Sequence, residues 1–231
     1  MIIAHQSTAG QTSWTATQVV DRFGPLPLAR LRMSPLPGNA VEQDAVEILA
    51  GEQRLFELHD GMLLEKTMGA FESYIAGVLI WALNDFIRRD RLGIVYGPDG
   101  LFRIAPDEIR IPDVSFVSWQ RLPNGEVPRD AISSIVPDLV AEIISHGNTP
   151  REMENKRREY LAAGVRLIWY VYPNARQVHV FHASPSDASS PDAETASPVV
   201  LSENDQLTGG EVLPGFSLPL GELFNPPAPP K

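Results

Sequence analysis

The order of strand-like and helical segments along the chain is the feature that most limits its fold. A hairpin pattern over residues 55–66 turns at Asp60-Gly61, and residues 71–91 then show apolar positions at helical spacing. Short apolar runs follow and predict four strands, at residues 94–96, 101–105, 113–118 and 139–145. This order predicts an α/β (α+β) fold, a mixed sheet flanked by helices.

The segment Thr149-Pro150-Arg151-Glu152 predicts the start of a second helix, because threonine is a good N-cap, proline suits the first helical position and glutamate completes a capping box. Gly164 is predicted to end this helix. Two further strands are expected at residues 167–172 and 177–182, and short helices at residues 17–23 and 44–52.

The chain has 231 residues, enough for one domain with an appended arm. Residues 1–40 include a proline-spaced segment and are predicted to form an N-terminal arm. Residues 41–225 form the predicted main domain, and residues 226–231 a flexible C-terminal tail. Within the main domain, the composition of residues 184–198 predicts a solvated loop.

Composition excludes several classes of function. With no cysteine there is no disulfide framework and no thiolate chemistry, so any metal must be held by oxygen or histidine ligands. No apolar run approaches the roughly 20 residues of a membrane span, and a cytoplasmic protein without a membrane partner is expected. The net charge of −10 opposes binding to a nucleic acid unless positive charge is concentrated locally.

Two carboxylates stand where plain surface residues are not expected. Glu142 lies inside an otherwise apolar strand, and a glutamate is rarely buried without a cation or a metal as its partner. Asp113 opens another predicted strand. Asp138 is a poorer partner for Glu142, since four residues along a strand span roughly 13 Å. Asp113 and Glu142 together suit Mg²⁺ or Mn²⁺, because hard cations prefer carboxylate oxygens.

Lys156 is predicted to return to the level of Glu142. The strand continues for about 10 Å beyond Glu142, and the helix that begins at Thr149 comes back by about 10 Å before it reaches Lys156. Met153 and Tyr160 share the same helical face, so Lys156 should point towards the sheet. A lysine beside two carboxylates could position water and stabilise transition-state charge.

Glu72 is a further candidate, because it is the only charged residue on the apolar stripe of the long helix. Alternatives stay open for all four residues. Glu72 could simply cap its helix, Asp113 could be a turn residue, and Lys156 could be a surface lysine or form a structural ion pair with Glu142. His179 and His182, three apart in a strand, face opposite sides and cannot chelate one metal.

The segments that carry these residues resemble a known family. FELHDGMLLEKTMG, Glu72-Ser73, RIPDVSFVS, PDLVAEIIS and NKRREYLAAGVRLIWYVYP, in this order, are similar to the putative restriction endonucleases of the PD-(D/E)XK superfamily, formerly a domain of unknown function. The resemblance implies that Asp113, Glu142 and the carbonyl of Ile143 bind a metal, that Lys156 is the catalytic lysine, displaced onto a helix, and that Glu72 is the acidic residue of the first helix. Ile144 stands where the textual motif has its lysine.

These observations predict a Mg²⁺-dependent endonuclease that hydrolyses DNA. Two other functions stay open: a catalytically inactive DNA-binding or assembly protein with the nuclease fold, and a metal-dependent hydrolase of a small phosphorylated substrate. The second would suit the acidic net charge better. A homodimer is also expected, because cutting both strands commonly needs two active sites, and the proline-rich arm is a candidate interface element.

Overall fold

The computed structural model describes residues 13–183 and 197–228. The predicted loop at residues 184–198 lies almost wholly outside this part of the chain, as do the last three residues of the predicted tail. The helices are α1 (Ala16–Phe23), α2 (Glu42–Glu52), α3 (Ala70–Asp90), α4 (Pro150–Ala163) and α5 (Leu220–Phe224). The strands are β1 (Phe56–His59), β2 (Met62–Glu65), β3 (Gly93–Tyr96), β4 (Phe102–Ala105), β5 (Glu108–Arg110), β6 (Val114–Ser118), β7 (Leu139–Ile143), β8 (Leu167–Tyr172), β9 (Gln177–His182), β10 (Val199–Ser202), β11 (Gln206–Gly209) and β12 (Leu213–Pro219).

A six-stranded mixed sheet in the order β10-β9-β8-β7-β6-β3 forms the centre of the fold. The strands β7 and β8 are its parallel pair, and α4 connects them. Because side chains alternate along a strand, Ala141 and Ile143 of β7 face α3, whereas Val140 faces the side covered by α4. Glu142 lies two residues after Val140 and therefore faces the same side of the sheet, beneath α4.

A smaller antiparallel sheet in the order β2-β1-β5-β4 packs beside the central sheet. The hairpin of β1 and β2 turns at Asp60 and Gly61, both with positive φ, which is the two-residue turn that an Asp-Gly pair favours. Helix α2 covers one face of this sheet through Ala45 and Ile48. The predicted mixed sheet with flanking helices is therefore confirmed.

The structure contains elements that the sequence patterns did not reveal. Strand β5 has three residues, two of them charged, and so lacks a strand-like run. The strands β10, β11 and β12 and the helix α5 follow the low-complexity segment, and glycine or proline occurs in all of them except β10. The predicted helices and the other predicted strands are all present, with ends that differ by at most two residues.

The N-terminal arm lies on its own domain over residues 13–40. Val19, Phe23 and Leu26 form a small apolar cluster with Met62 and Leu64 of β2. Polar contacts fasten the same segment to α4: the Arg30 guanidinium donates two hydrogen bonds to the Glu152 carboxylate, at 2.7 and 2.9 Å, and the Thr149 hydroxyl donates to the Phe23 carbonyl. The inner face of the arm therefore supports the helix that carries Lys156.

Helix α3 is long and apolar enough to cross a membrane by length and composition alone, with a mean hydropathy of 1.2. The sequence patterns predicted no such segment. In the fold, one face of α3 packs against the central sheet through Ile75, Leu79, Leu83 and Ile87, while Phe71 and Trp81 of the same helix are exposed.

Candidate active site

The ends of two neighbouring strands bring Asp113 and Glu142 together. Val114 pairs with Ala141 in the antiparallel ladder of β6 and β7, so Asp113 lies beside the end of β7. The backbone N–H of Ile143 donates a 2.6 Å hydrogen bond to Asp113 Oδ2, which holds the carboxylate against β7. Both side chains are buried, at 7% exposure or less. The predicted proximity of these carboxylates is present in the structure.

Lys156 reaches Glu142 from α4. Its Nζ lies 3.0 Å from Glu142 Oε1, and the Tyr160 hydroxyl donates a 2.6 Å hydrogen bond to the same oxygen. The side chain of Lys156 is 5% exposed, so it is not a surface lysine. The length argument from strand and helix rise therefore placed Lys156 at the correct level.

The second carboxylate in contact with Lys156 belongs to Glu57, whereas the sequence predicted Asp113 in that place. Glu57 Oε1 lies 2.9 Å from Lys156 Nζ and also accepts a 2.9 Å hydrogen bond from the N–H of Ile111. Its other oxygen lies 3.2 Å from His59 Nε2. Glu57 belongs to β1 of the smaller sheet, 99 positions before Lys156, so local sequence could not pair them. The available signal was a charged residue between Phe56 and Leu58.

Asp113 has its own cation in Lys66, a residue that the site prediction also missed. Lys66 Nζ lies 2.8 Å from Asp113 Oδ1 and donates a hydrogen bond to the carbonyl of Ile111. The chain has three lysines among its nineteen basic residues, and two of them contact this site. That scarcity of lysine was the signal that could have indicated Lys66.

The carboxylates in the site have opposite pKa shifts. Burial raises the pKa of Glu142, and the nearby charges of Asp113 and Glu57 raise it further against the opposing effect of Lys156. Burial would also raise the pKa of Glu57, but Lys156 and the hydrogen bond from His59 hold it well below its usual range. Lys156 stays protonated, because Glu142 and Glu57 outweigh the effect of burial and raise its pKa.

The charges and donor atoms of the site suit a divalent cation. Three carboxylates, Glu57, Asp113 and Glu142, face two ammonium groups, which leaves one excess negative charge in a buried place. Burial first, and then the charges of Asp113 and Glu57, raise the pKa of Glu142 in this place. A cation beside Glu142 and Asp113 would relieve this excess, and carboxylate and carbonyl oxygens are the ligands that Mg²⁺ prefers.

Glu72 is not joined to this cluster by any contact among the described residues. Its carboxylate lies directly over Gly69, the residue that caps α3, where a larger side chain would collide with it. That position is typical of a carboxylate that stabilises its own helix N-terminus. The catalytic role of Glu72 stays a prediction. Asp138 is engaged elsewhere, with Arg121 and Arg166.

A second group of possible metal ligands lies behind Glu57. His59, Glu108 and Glu159 offer ligand atoms within 4.8 Å of one another. Arg110 occupies this group, since its Nη2 lies 2.6 Å from both Glu108 Oε2 and Glu159 Oε2. The guanidinium already balances these carboxylates and would repel a metal ion, so we assign the cluster a structural role.

Comparisons with known proteins identify the family and support the fold. The family model described as Uma2, putative restriction endonuclease, matches residues 43–221. Among solved structures, the chain is similar to a putative nuclease belonging to DUF820 from Anabaena variabilis, with a TM-score of 0.61 and 20% identity over 74% of this chain and 90% of that one. No curated protein matches the chain. The family match covers more than three quarters of the sequence, and the chain therefore belongs to the Uma2 family of putative restriction endonucleases.

Proposed function

We propose that the protein is a metal-dependent endonuclease that hydrolyses DNA phosphodiester bonds. The observation that carries this proposal is the convergence of Asp113, Glu142 and Lys156 at the end of β7, with one excess negative charge. Membership of the nuclease family supports the reaction class, and the proposal adds DNA as substrate and Mg²⁺ or Mn²⁺ as cofactor.

The carboxylates of Asp113 and Glu142 and the carbonyl oxygen of Ile143 would hold the metal ion. The ion would supply positive charge beside the scissile phosphate and activate a water molecule. The hydrogen bond from the Ile143 N–H fixes the orientation of Asp113, so that carboxylate needs little rearrangement to act as a ligand. Glu142 is oriented in the same way by Tyr160 and Lys156.

Lys156 would position the attacking water and stabilise the charge that develops on the phosphate. Its ammonium is held by Glu57 as well as by Glu142, so it keeps a partner when Glu142 serves as a metal ligand. A preorganised positive charge of this kind lowers a transition-state barrier because it requires no reorganisation during the reaction.

The test of this proposal measures metal binding and cleavage together. We expect millimolar Mg²⁺ or Mn²⁺ to raise the unfolding temperature, because a ligand of the native state stabilises it, and to support cleavage of plasmid DNA. Glu142→Gln is the matched control: it keeps an oxygen for Tyr160 and removes the charge, so it should fold without responding to metal.

The outcomes separate the proposed function from the two alternatives. Metal binding with cleavage of a small phosphoester, but not of DNA, would favour the small-substrate hydrolase. DNA binding whose affinity falls with salt, without cleavage, would favour an inactive binding protein. An equal thermal response to metal in the parent and in Glu142→Gln would contradict the proposed metal site.

We also propose that the protein acts as a homodimer. Of the eleven large apolar side chains exposed in the described ranges, four belong to the arm, Val20, Leu28, Met33 and Leu36, and a fifth, Val41, directly follows it. The arm covers its own domain on one side, so its outer face is the part of it available to a second copy.

We expect light scattering at micromolar concentration to give the mass of a dimer. Leu28→Asp combined with Met33→Asp should give a folded monomer, because both side chains are more than half exposed. A monomer mass for the parent protein would refute the dimer.

A further inference from the structure

We propose that Lys66 is a substrate-binding residue: it neutralises Asp113 in the metal-free protein and turns to a phosphate of the DNA backbone when the metal site is filled. The inference rests on the proposed function and assigns a role to a residue outside the two carboxylates and Lys156. Its starting point is the 2.8 Å contact between Lys66 Nζ and Asp113 Oδ1.

The two lysines of the site are not held equally. Lys156 has a carboxylate partner, Glu57, that takes no part in the proposed metal site. Within the described residues, Lys66 forms an ion pair with Asp113 alone and donates to the carbonyl of Ile111, so it loses that ion pair if Asp113 becomes a metal ligand. A divalent cation repels both ammonium groups. Lys66 is therefore the one that leaves, while Lys156 stays on Glu57.

The side chain of Lys66 lies nearer to solvent than that of Lys156, so its ammonium can move outward. Its side chain is 10% exposed against 5% for Lys156, and the residues that follow it, Thr67, Gly69 and Ala70, are exposed. Gly147, in the loop after β7, lies close to the Thr67 side chain, so this loop and the loop after β2 are neighbours beside the site. Lys66 is therefore the more solvent-accessible of the two lysines.

The choice of residue type agrees with this role. Arginine forms the fixed ion pairs around the site, such as the bidentate contact of Arg30 with Glu152. A lysine carries a compact charge on a flexible stem and can exchange one oxygen ligand for another with little geometric constraint. A phosphate held between Lys66 and the metal site would be the substrate group that is cut or its neighbour.

The first experiment follows the lysines directly by NMR, using protein labelled with ¹³C at lysine Cε. Three lysines give three signals, which Lys66→Met and Lys231→Met assign. We expect Mg²⁺ alone to shift the Lys66 signal more than that of Lys156, which keeps its contact with Glu57. An unshifted Lys66 signal at a Mg²⁺ concentration that calorimetry shows to be saturating would overturn the exchange, and the proposed metal site would stand. Calorimetry that shows no metal binding would overturn both.

The second experiment measures the contact with phosphate, in Ca²⁺ and without cleavage. Each phosphate contact contributes about 0.9 to the slope of log affinity against log salt, so Lys66→Met should lower the slope by about one for a short DNA duplex. Lys66→Arg should keep it. Arg89→Met is the control, because Arg89 is an exposed residue near the far end of α3, roughly 30 Å from the helix start.

The result separates the two proposals. An unchanged slope in Lys66→Met, with normal DNA binding, would refute the role of Lys66 alone. Absence of DNA binding by the parent protein would refute the proposed DNA substrate and this inference with it. A slope that falls equally in Arg89→Met would show a general charge effect, which also contradicts the inference.

Discussion

Replacing Lys156 by methionine is expected to destabilise the fold by about 3–5 kcal/mol, the usual cost of removing one partner from a buried ion pair. Glu57 and Glu142 would both lose their shared cation in a site where each is nearly inaccessible to water. Metal should restore only the part of the stability that belongs to Glu142, because a cation at Asp113 and Glu142 leaves Glu57 unpaired. Thermal and urea unfolding, with and without Mg²⁺, measure this effect.

Neutralising the carboxylates provides the control. Glu57→Gln and Glu142→Gln, added to Lys156→Met, remove the uncompensated charges and should recover most of the stability. The triple variant keeps amide oxygens that can accept the hydrogen bonds from Ile111 and Tyr160. A single Lys156→Met variant as stable as the parent would contradict the contacts of Lys156 in the structure.

Replacing Lys156 by arginine is expected to lower metal-dependent cleavage by about two orders of magnitude or more, the size of one lost electrostatic contact in a transition state. The positive charge is kept, but a planar guanidinium cannot place it where an ammonium did. Cleavage is measured at saturating Mg²⁺ and DNA, so that the turnover rate is compared and weaker substrate binding is not mistaken for the effect.

Arg158→Lys is the matched control for that assay. It exchanges the same two residue types on the same helix, at an exposed position whose partner is Glu154. It should cleave as the parent does. The catalytic role of Lys156 would be abandoned if Lys156→Arg were equally active, or if both variants lost activity to the same extent.

Local sequence was sufficient to predict the part of the site that lies on the consecutive elements β7 and α4. Glu142 and Lys156 are 14 positions apart, joined by a strand, a capped turn and a helix of regular rise, so their meeting follows from backbone geometry. The position of Asp113 beside Glu142 could not be predicted from local geometry alone, because it depends on the pairing of β6 with β7. The strand-end position of Asp113 favoured that pairing and the family resemblance implied it, and the ladder of Val114 with Ala141 provides its physical basis.

Only the tertiary structure decided which charged side chains form ion pairs with one another. Glu57 and Lys66 belong to the small sheet and the loop after it, and no pattern in the sequence specifies how that sheet meets α4 or β6. The packing of the two sheets gave Lys156 a second carboxylate and gave Asp113 its own lysine. The sequence by itself therefore determined the fold class, the main elements and the pair of Glu142 with Lys156, because these depend on short-range geometry. The balance of charge in the site depends on contacts between distant segments, which exist only once the sheets have packed.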